Sequence, residues 1–403
     1  MAPDTLARTA PNVYDAEPIP EAARAEIERL LSSGDLFRYT APEGAPVALL
    51  EQEFAVLLGV RYALAVSSCS AALFLSLKAL DLPRGARVLI PAFTFAAVPS
   101  AVLHADCVPV LCEVGADLRI DLDDFAARLD DDIAAVLISH MRGHTSDMDR
   151  IMALCDARAI PVIEDAAHSL GTLWKGHNIG TIGKVGCFSF QSYKLVNAGE
   201  GGILVTDDPE IAARCVIMSG AYEHNWKKHA GLQNSFMHWQ NRLPLYNMRM
   251  QNLSAAVIRP QLPLVWDRVA GGRANHDYVA DRLNRSDWLE VPPALPQEQR
   301  APDSLQFRLL GRWSDAEARA FQDAAKARGI TVQIFGLSED NARAFWNWKF
   351  IGDLPDLPKT RAMLMRTGDL RLPARLKRHD LDFIADAILG AVGAVKSARP
   401  DAA

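Results

Sequence analysis

Five short apolar runs, Ala63 to Val66, Arg87 to Ile90, Val108 to Cys112, Ala134 to Ser139 and Ile160 to Ile163, alternate with amphipathic stretches of helical spacing. Runs that are apolar throughout suit strands covered on both faces. Strands separated by helices pair in parallel, because a parallel neighbour is reached only through a crossover. The alternation therefore predicts an α/β fold, a mostly parallel sheet flanked by helices. Val185 to Phe190 and Ile203 to Thr206 extend it. Sites in such sheets gather at the C-terminal strand ends, although the topology alone permits many activities.

The segments on either side are read from spacing and punctuation. Residues 1–18 form an N-terminal arm that could lie over a neighbouring subunit. Pro20 opens a helix with Ala22, Ile27, Leu30 and Leu31 at helical spacing and Gly34 past its end; a second spans Val47 to Leu58. Beyond the sheet lie a helix from Pro209 to Ser219 and an aperiodic loop, residues 221–242. A long helix from Asn252 to about Arg282 is kinked or divided by Pro260 and Pro263. Ser304 to Leu310, the helix Asp315 to Arg328, Thr331 to Phe335 and a last helix Leu381 to Val395 indicate a small α+β domain. Asn341 to Leu376 shows no readable pattern. The expected division is an arm 1–18, a large domain 19–265 with the N-terminal helices, and a small C-terminal domain 266–403.

A chain of 403 residues, 49% hydrophobic and 23% charged, has the balance of a soluble globular protein. Its net charge of −6 is spread without long runs of either sign, so neither nucleic acid nor membrane is expected as a partner. The six cysteines stand apart without CxxC pairs, and no metal is assigned. The N-terminus lacks an apolar signal core and no stretch reaches the ~20 apolar residues of a membrane span, so a reduced, cytoplasmic setting is expected.

Chemistry concentrates between Pro161 and Thr206. The run Pro161-Val162-Ile163 ends on Glu164 and Asp165, and Lys194 occupies a short turn between two strand-like runs, ahead of Gly199-Glu200-Gly201-Gly202. An acid at a strand end and a lysine on a nearby turn suit pyridoxal phosphate, the lysine forming a Schiff base and the acid pairing with the pyridinium nitrogen. Read singly, composition favours the acid as a helix N-cap and the lysine as a surface charge. Ser68-Cys69-Ser70 stands where a strand meets a helix, a place that offers N–H groups to an anion or simply a serine cap.

The segments IEDAAHSLG, FSFQSYK and GEGGILVTDD, with AVSSCSAAL at 65–73, IPAFTFAA at 90–97, HMRGHTSDMD at 140–149 and YNMRMQNLSAA at 246–256, resemble the DegT/DnrJ/StrS family of pyridoxal phosphate-dependent sugar aminotransferases. The resemblance implies a fold type I aminotransferase architecture, with Lys194 as the Schiff-base lysine and Asp165 as the pyridinium partner. It places Ser68, Cys69, Ser70 and Ser189 on the cofactor phosphate, Phe95 against the ring and His168 near the 3-hydroxyl. Residues 140–149 shape the ring pocket. Asn247 and Arg249 match a pair that reaches the phosphate of the other subunit, which implies a homodimer with shared sites.

Three positions depart from the family pattern: Cys69 replaces a glycine, Gln191 a common histidine and Tyr193 a common threonine. Lys227, Lys228 and His229 are candidate contacts to an anionic substrate, and a solvated loop reads equally well. The implied reaction moves an amino group from an amino acid, glutamate or glutamine, to a ketone or aldehyde, such as a nucleotide-linked keto sugar. Elimination, racemisation or aldol chemistry on the same scaffold is the alternative, and a non-catalytic regulator a further one. Family dehydratases carry histidine in place of the lysine, so Lys194 speaks against that branch.

Overall fold

Seven strands form the central sheet of the computed structural model, which describes residues 9–40, 44–229 and 231–397. They are β1 (Tyr62–Val66), β2 (Arg87–Pro91), β3 (Val108–Cys112), β4 (Ile133–Ser139), β5 (Val162–Asp165), β6 (Val185–Ser189) and β7 (Gly202–Thr206). Their order across the sheet is β1-β7-β6-β5-β4-β2-β3. β2, β3, β4, β5 and β6 pair in parallel, while β7 runs antiparallel to β1 and β6. The pleat sends alternate residues to opposite faces: in β4, Ala135 and Leu137 enter one apolar core and Val136 and Ile138 the other. That two-sided burial is why these strands lack polar alternation.

β5 begins later than its apolar run suggests. The Ile160 N–H bonds back to the Cys155 carbonyl and Ala159 takes a positive φ of 54°, so Ile160 closes the preceding helix. Glu164 and Asp165 consequently belong to the strand itself.

The first helix, Glu21–Ser33, ends at Gly34, whose φ of 76° suits glycine and whose N–H caps the Leu30 carbonyl. Its phase differs from the expected face. Ala23 and Leu30 are buried, whereas Ala22 is exposed and Leu31 is 63% exposed. The two prolines divide the expected long helix into Asn252–Ile258, a 3₁₀ segment Arg259–Leu264, and Val265–Leu283. Pro260 and Pro263 both fall in the 3₁₀ segment, where neither can donate to a helical ladder.

The C-terminal region builds an antiparallel sheet in the order Leu289–Glu290, Ser304–Leu309, Thr367–Arg371, Gln333–Ile334. The run expected from Thr331 to Phe335 keeps only two residues in strand form. Helices Asp315–Ala327 and Arg378–Ser397 contribute Phe321, Ile384 and Ile388 to a core with Leu305, Phe307 and Leu370. Val13 enters the same core at 4% exposure, and Arg375 donates to the carbonyls of Asn12 and Asp15. Val13 and these two bonds thus tie residues 12–15 to this chain's own C-terminal region. No helix among the described residues is long and apolar enough to cross a membrane.

Candidate active site

A cleft of about 520 Å³ opens where the ends of β1, β5 and β6 meet the C-terminal sheet. Ser68, Cys69, Ser70, Phe95, Asp165, His168, Ser189 and Lys194 all line it. Eight residues chosen from separate stretches of sequence therefore converge on one cavity of ligand size.

The turn after β1 is made by Ser68, whose Oγ accepts the Ala71 N–H (3.1 Å) and so caps the helix Cys69–Ala79. Cys69 and Ser70 open that helix, where backbone N–H groups have no intrahelical acceptor. A Cβ on Gly202, the first residue of β7, would stand 2.3 Å from the Ser68 carbonyl carbon and 2.4 Å from the Cys69 nitrogen. Glycine there lets the turn lie directly against the sheet. Cys69 takes a helical rather than a positive-φ conformation, so the glycine it replaces is not needed for backbone reasons. Its Sγ lies 3.9 Å from Asp165 Oδ1; burial, reinforced by that carboxylate, pushes the thiol well up and keeps it protonated.

Asp165 ends β5 at 7% exposure. Its Oδ2 accepts from Ser139 Oγ at the end of β4 (3.1 Å) and its Oδ1 from the Ala167 N–H (3.1 Å). Burial raises its pKa, opposed by the Ala167 N–H and the Lys194 charge. The preceding acid, Glu164, points away: its carboxylate takes His140 Nε2 (3.0 Å) and the N–H groups of Gly180, Ile182 and Gly183. Of the two strand-end acids, one faces the cleft and the other ties down a loop.

Lys194 sits in the turn after β6, its Nζ 2.9 Å from His168 Nε2. Burial lowers its pKa to about 8, with the Asp303 carboxylate opposing and the Arg142 cation assisting. His168 is pressed to about 3, first by burial and then by Lys194, and is neutral. Its Nδ1 is 3.7 Å from Asp303 Oδ2. Phe95, 47% exposed, offers an aromatic ring to the cavity. Gln191 Oε1 accepts the Tyr193 N–H (2.9 Å), which shapes the turn that carries Lys194.

Other expected residues lie elsewhere. Asn247 is exposed and Arg249 donates to the Gly220 carbonyl (2.9 Å), its guanidinium over the rings of Phe37 and Tyr222; neither lines this chain's cleft. Lys228 donates to the Tyr39 carbonyl and His229 Nε2 meets the Tyr39 hydroxyl (2.9 Å), beside Glu51, in a separate cavity. Lys227 stacks near Trp226.

The cleft also contains residues that the sequence reading did not single out: Arg142, Arg343, Asp369 and Arg371, with Asp303 behind His168. Arg142 ion-pairs with Asp369, which also accepts from Gln306 Nε2 (2.8 Å). Arg371 lies over the Tyr193 ring and donates to the Tyr193 carbonyl (3.2 Å). The strand Thr367–Arg371 alternates Leu370 into the core with Asp369 and Arg371 toward the cleft, a two-residue period too short to stand out.

Comparison with known proteins gives this geometry a family. The chain is 35% identical over 240 residues to the spore coat polysaccharide biosynthesis protein SpsC of Bacillus subtilis (strain 168), spanning 59% of this chain and 60% of that protein. It is 32% identical over 261 residues to the GDP-perosamine synthase of Vibrio cholerae, 64% of this chain and 67% of that one. The crystal structure of 3-amino-5-hydroxybenzoic acid synthase superposes with a TM-score of 0.84 at 25% identity, covering 96% of this chain and 100% of that one. The family profile matches residues 19–389, from before the first helix into the last, and the chain belongs to the DegT/DnrJ/EryC1/StrS aminotransferase family.

Proposed function

We propose that the protein is a pyridoxal phosphate-dependent aminotransferase that passes an amino group from an amino acid, glutamate or glutamine, to a ketone or aldehyde. The observation that carries this reading is that Lys194, Asp165 and the Ser68–Ser70 turn line one cleft. The donor set fits the cofactor. The turn brings free N–H groups to a phosphate, the close approach at Gly202 holds it against the sheet, and a buried carboxylate at Asp165 suits a protonated ring nitrogen.

Pyridoxal phosphate supplies an electron sink conjugated to the amino group being transferred. Lining the cleft, Ser68, Ser70 and Ser189 would hold the phosphate, Phe95 would cover the ring, and the Asp165 carboxylate would keep the ring nitrogen protonated. Neutral His168 offers a hydrogen bond to the 3-hydroxyl. Lys194, with a pKa of about 8, is populated in both protonation states near neutrality, and its Nζ takes the proton from the donor's Cα.

For the acceptor, the GDP-perosamine synthase at 32% identity supports a keto sugar, nucleotide-linked in that protein's case. A homodimer belongs to the same reading: Asn247 and Arg249, which stand outside their own cleft, complete the phosphate site of the partner. Six free cysteines, five of them buried, support a reduced, cytoplasmic setting.

The test is a screen of amino donors against carbonyl acceptors with cofactor-loaded protein, following keto acid and aminated product together. Matched formation of both is expected. Keto acid without aminated product would assign the scaffold to another reaction.

A further inference from the structure

Residues 12–18 run from the C-terminal region to the segment that carries Lys194, as a strap bonded at both ends. At one end Val13 is buried in the C-terminal core, and Arg375 donates to the carbonyls of Asn12 and Asp15. At the other, Asn197 Nδ2 donates to the Glu17 carbonyl (3.2 Å), and the Arg268 guanidinium bridges the carbonyls of Pro18 (3.2 Å) and Leu195 (2.7 Å). Gln261, fully buried, holds both the N–H and the carbonyl of Asn197 and so fixes that end against the Lys194 turn.

Of the strap residues, Tyr14 alone lines the cleft. Its N–H bonds to Asn12 Oδ1 (3.0 Å) and Asn12 Nδ2 to Asp15 Oδ1 (2.6 Å), so the turn that presents it is closed by its own side chains. Val13 faces the core, while the Tyr14 ring stays 50% exposed. Two other half-exposed rings share the cavity, Phe95 at 47% and Tyr193 at 45%. Phe95 is taken up by the cofactor reading, and Tyr193 lies under the Arg371 guanidinium (4.6 Å). Among the described residues no ring, cation or hydrogen-bonding group engages the Tyr14 side chain, which leaves its face and its hydroxyl to a ligand. A ring held on an anchored turn has its ordering cost met before anything binds. Such a face is covered whole by another ring, whereas a flexible chain covers it only by giving up rotamers.

We propose that Tyr14 is a substrate-contacting residue that packs on the ring of a cyclic carbonyl acceptor, and that the strap positions it there. The assignment to the acceptor rests on the aminotransferase reading. A glutamate or glutamine donor has an open chain and no ring face to offer, so Tyr14 serves one half-reaction and not the other.

Saturation-transfer NMR titration of cofactor-loaded protein with cyclohexanone and 2-hexanone, without amino donor, reads binding apart from turnover. Cyclohexanone binds more tightly than the open-chain ketone of equal carbon number. Tyr14→Ala weakens cyclohexanone about tenfold, as expected for losing the burial of about half a tyrosine ring, and leaves 2-hexanone nearly unchanged. Tyr14→Phe keeps the preference. Because the ring is half exposed, Tyr14→Ala empties no core. Equal affinity for the two ketones overturns the contact, and so does cyclohexanone binding that Tyr14→Ala leaves untouched.

Arg375→Met removes the anchor of residues 12–15 from outside the cleft. It weakens cyclohexanone as Tyr14→Ala does, and the double variant loses no more than either alone, because both act through one ring. Losses that multiply overturn the strap as the positioning element. In single-turnover absorbance, Tyr14→Ala keeps the rate of the step driven by glutamate or glutamine; slowing of about tenfold or more overturns the assignment to the acceptor. No donor-driven step in the unchanged protein would remove the aminotransferase reading and leave the ketone contact standing.

Discussion

Lys194 Nζ lies 2.9 Å from Nε2 and 3.3 Å from Nδ1 of a single imidazole, that of His168. Because burial keeps the ring neutral, it accepts a hydrogen bond from the amine rather than repelling it. With a pKa of about 8, the amine is an ammonium below that pH and a nucleophile above it. Cofactor uptake by apoprotein, followed by absorbance after mixing, should therefore accelerate as pH rises through 8 and then level off. An ordinary lysine would keep gaining toward ~10.4. Asp303→Asn removes a carboxylate that holds the proton on Lys194, so its midpoint should move to lower pH. A rate still climbing steeply at about pH 10 would contradict the assignment. Borohydride reduction and peptide mapping give a second check: the pyridoxyl group belongs on Lys194, and finding it on Lys175 or Lys184 would remove Lys194 from its role.

Asp165→Asn keeps the shape and an oxygen to accept the Ala167 N–H, while its NH2 can only donate to Ser139 Oγ, and it loses the charge. Turnover should fall at least about a hundredfold, roughly 2.7 kcal/mol in the barrier, while cofactor retention changes less. Near-normal turnover would mean that another group stabilises the carbanion.

Gly202→Ala places a methyl group 2.3 Å from the Ser68 carbonyl carbon, where backbone rather than a flexible side chain must yield. Overpacking of this kind costs about 1–3 kcal/mol of fold stability and is relieved by displacing the Ser68–Ser70 turn, so cofactor affinity should drop. Dialysis against fresh buffer, with the retained chromophore measured over time, reads the effect. Retention equal to that of the unchanged protein would separate the turn from phosphate binding.

If Arg249 serves the partner's phosphate, Arg249→Ala should weaken cofactor retention, and mixing it with Lys194→Ala should restore activity. A mixed dimer holds one site with both defects and one with neither. Mass measurement of the mixture first establishes that subunits have exchanged. Exchange without recovery would place Arg249 in its own chain's structure, as its bond to the Gly220 carbonyl already permits.

The sequence determined by itself what depends on neighbours a few residues away. Apolar runs became β1 to β7 because the sheet lies between two apolar cores, and the motifs at the ends of the parallel strands converge because those strands present their C-termini to one edge. Prolines and Gly34 marked real boundaries because proline lacks an N–H and glycine tolerates positive φ.

Only the tertiary structure decided the rest. Helix Glu21–Ser33 buries Ala23 rather than Ala22 and leaves Leu31 in solvent, because what it packs against sets its phase. Glu164 and Asp165 are adjacent acids in the chain, and the pleat of β5 alone sends one to a loop anchor and the other to the cleft. Arg142, Arg343 and Arg371 come together only because the C-terminal sheet closes over the strand ends. Long-range packing has no spacing in the sequence by which to be recognised, so the cationic wall is absent from every local pattern.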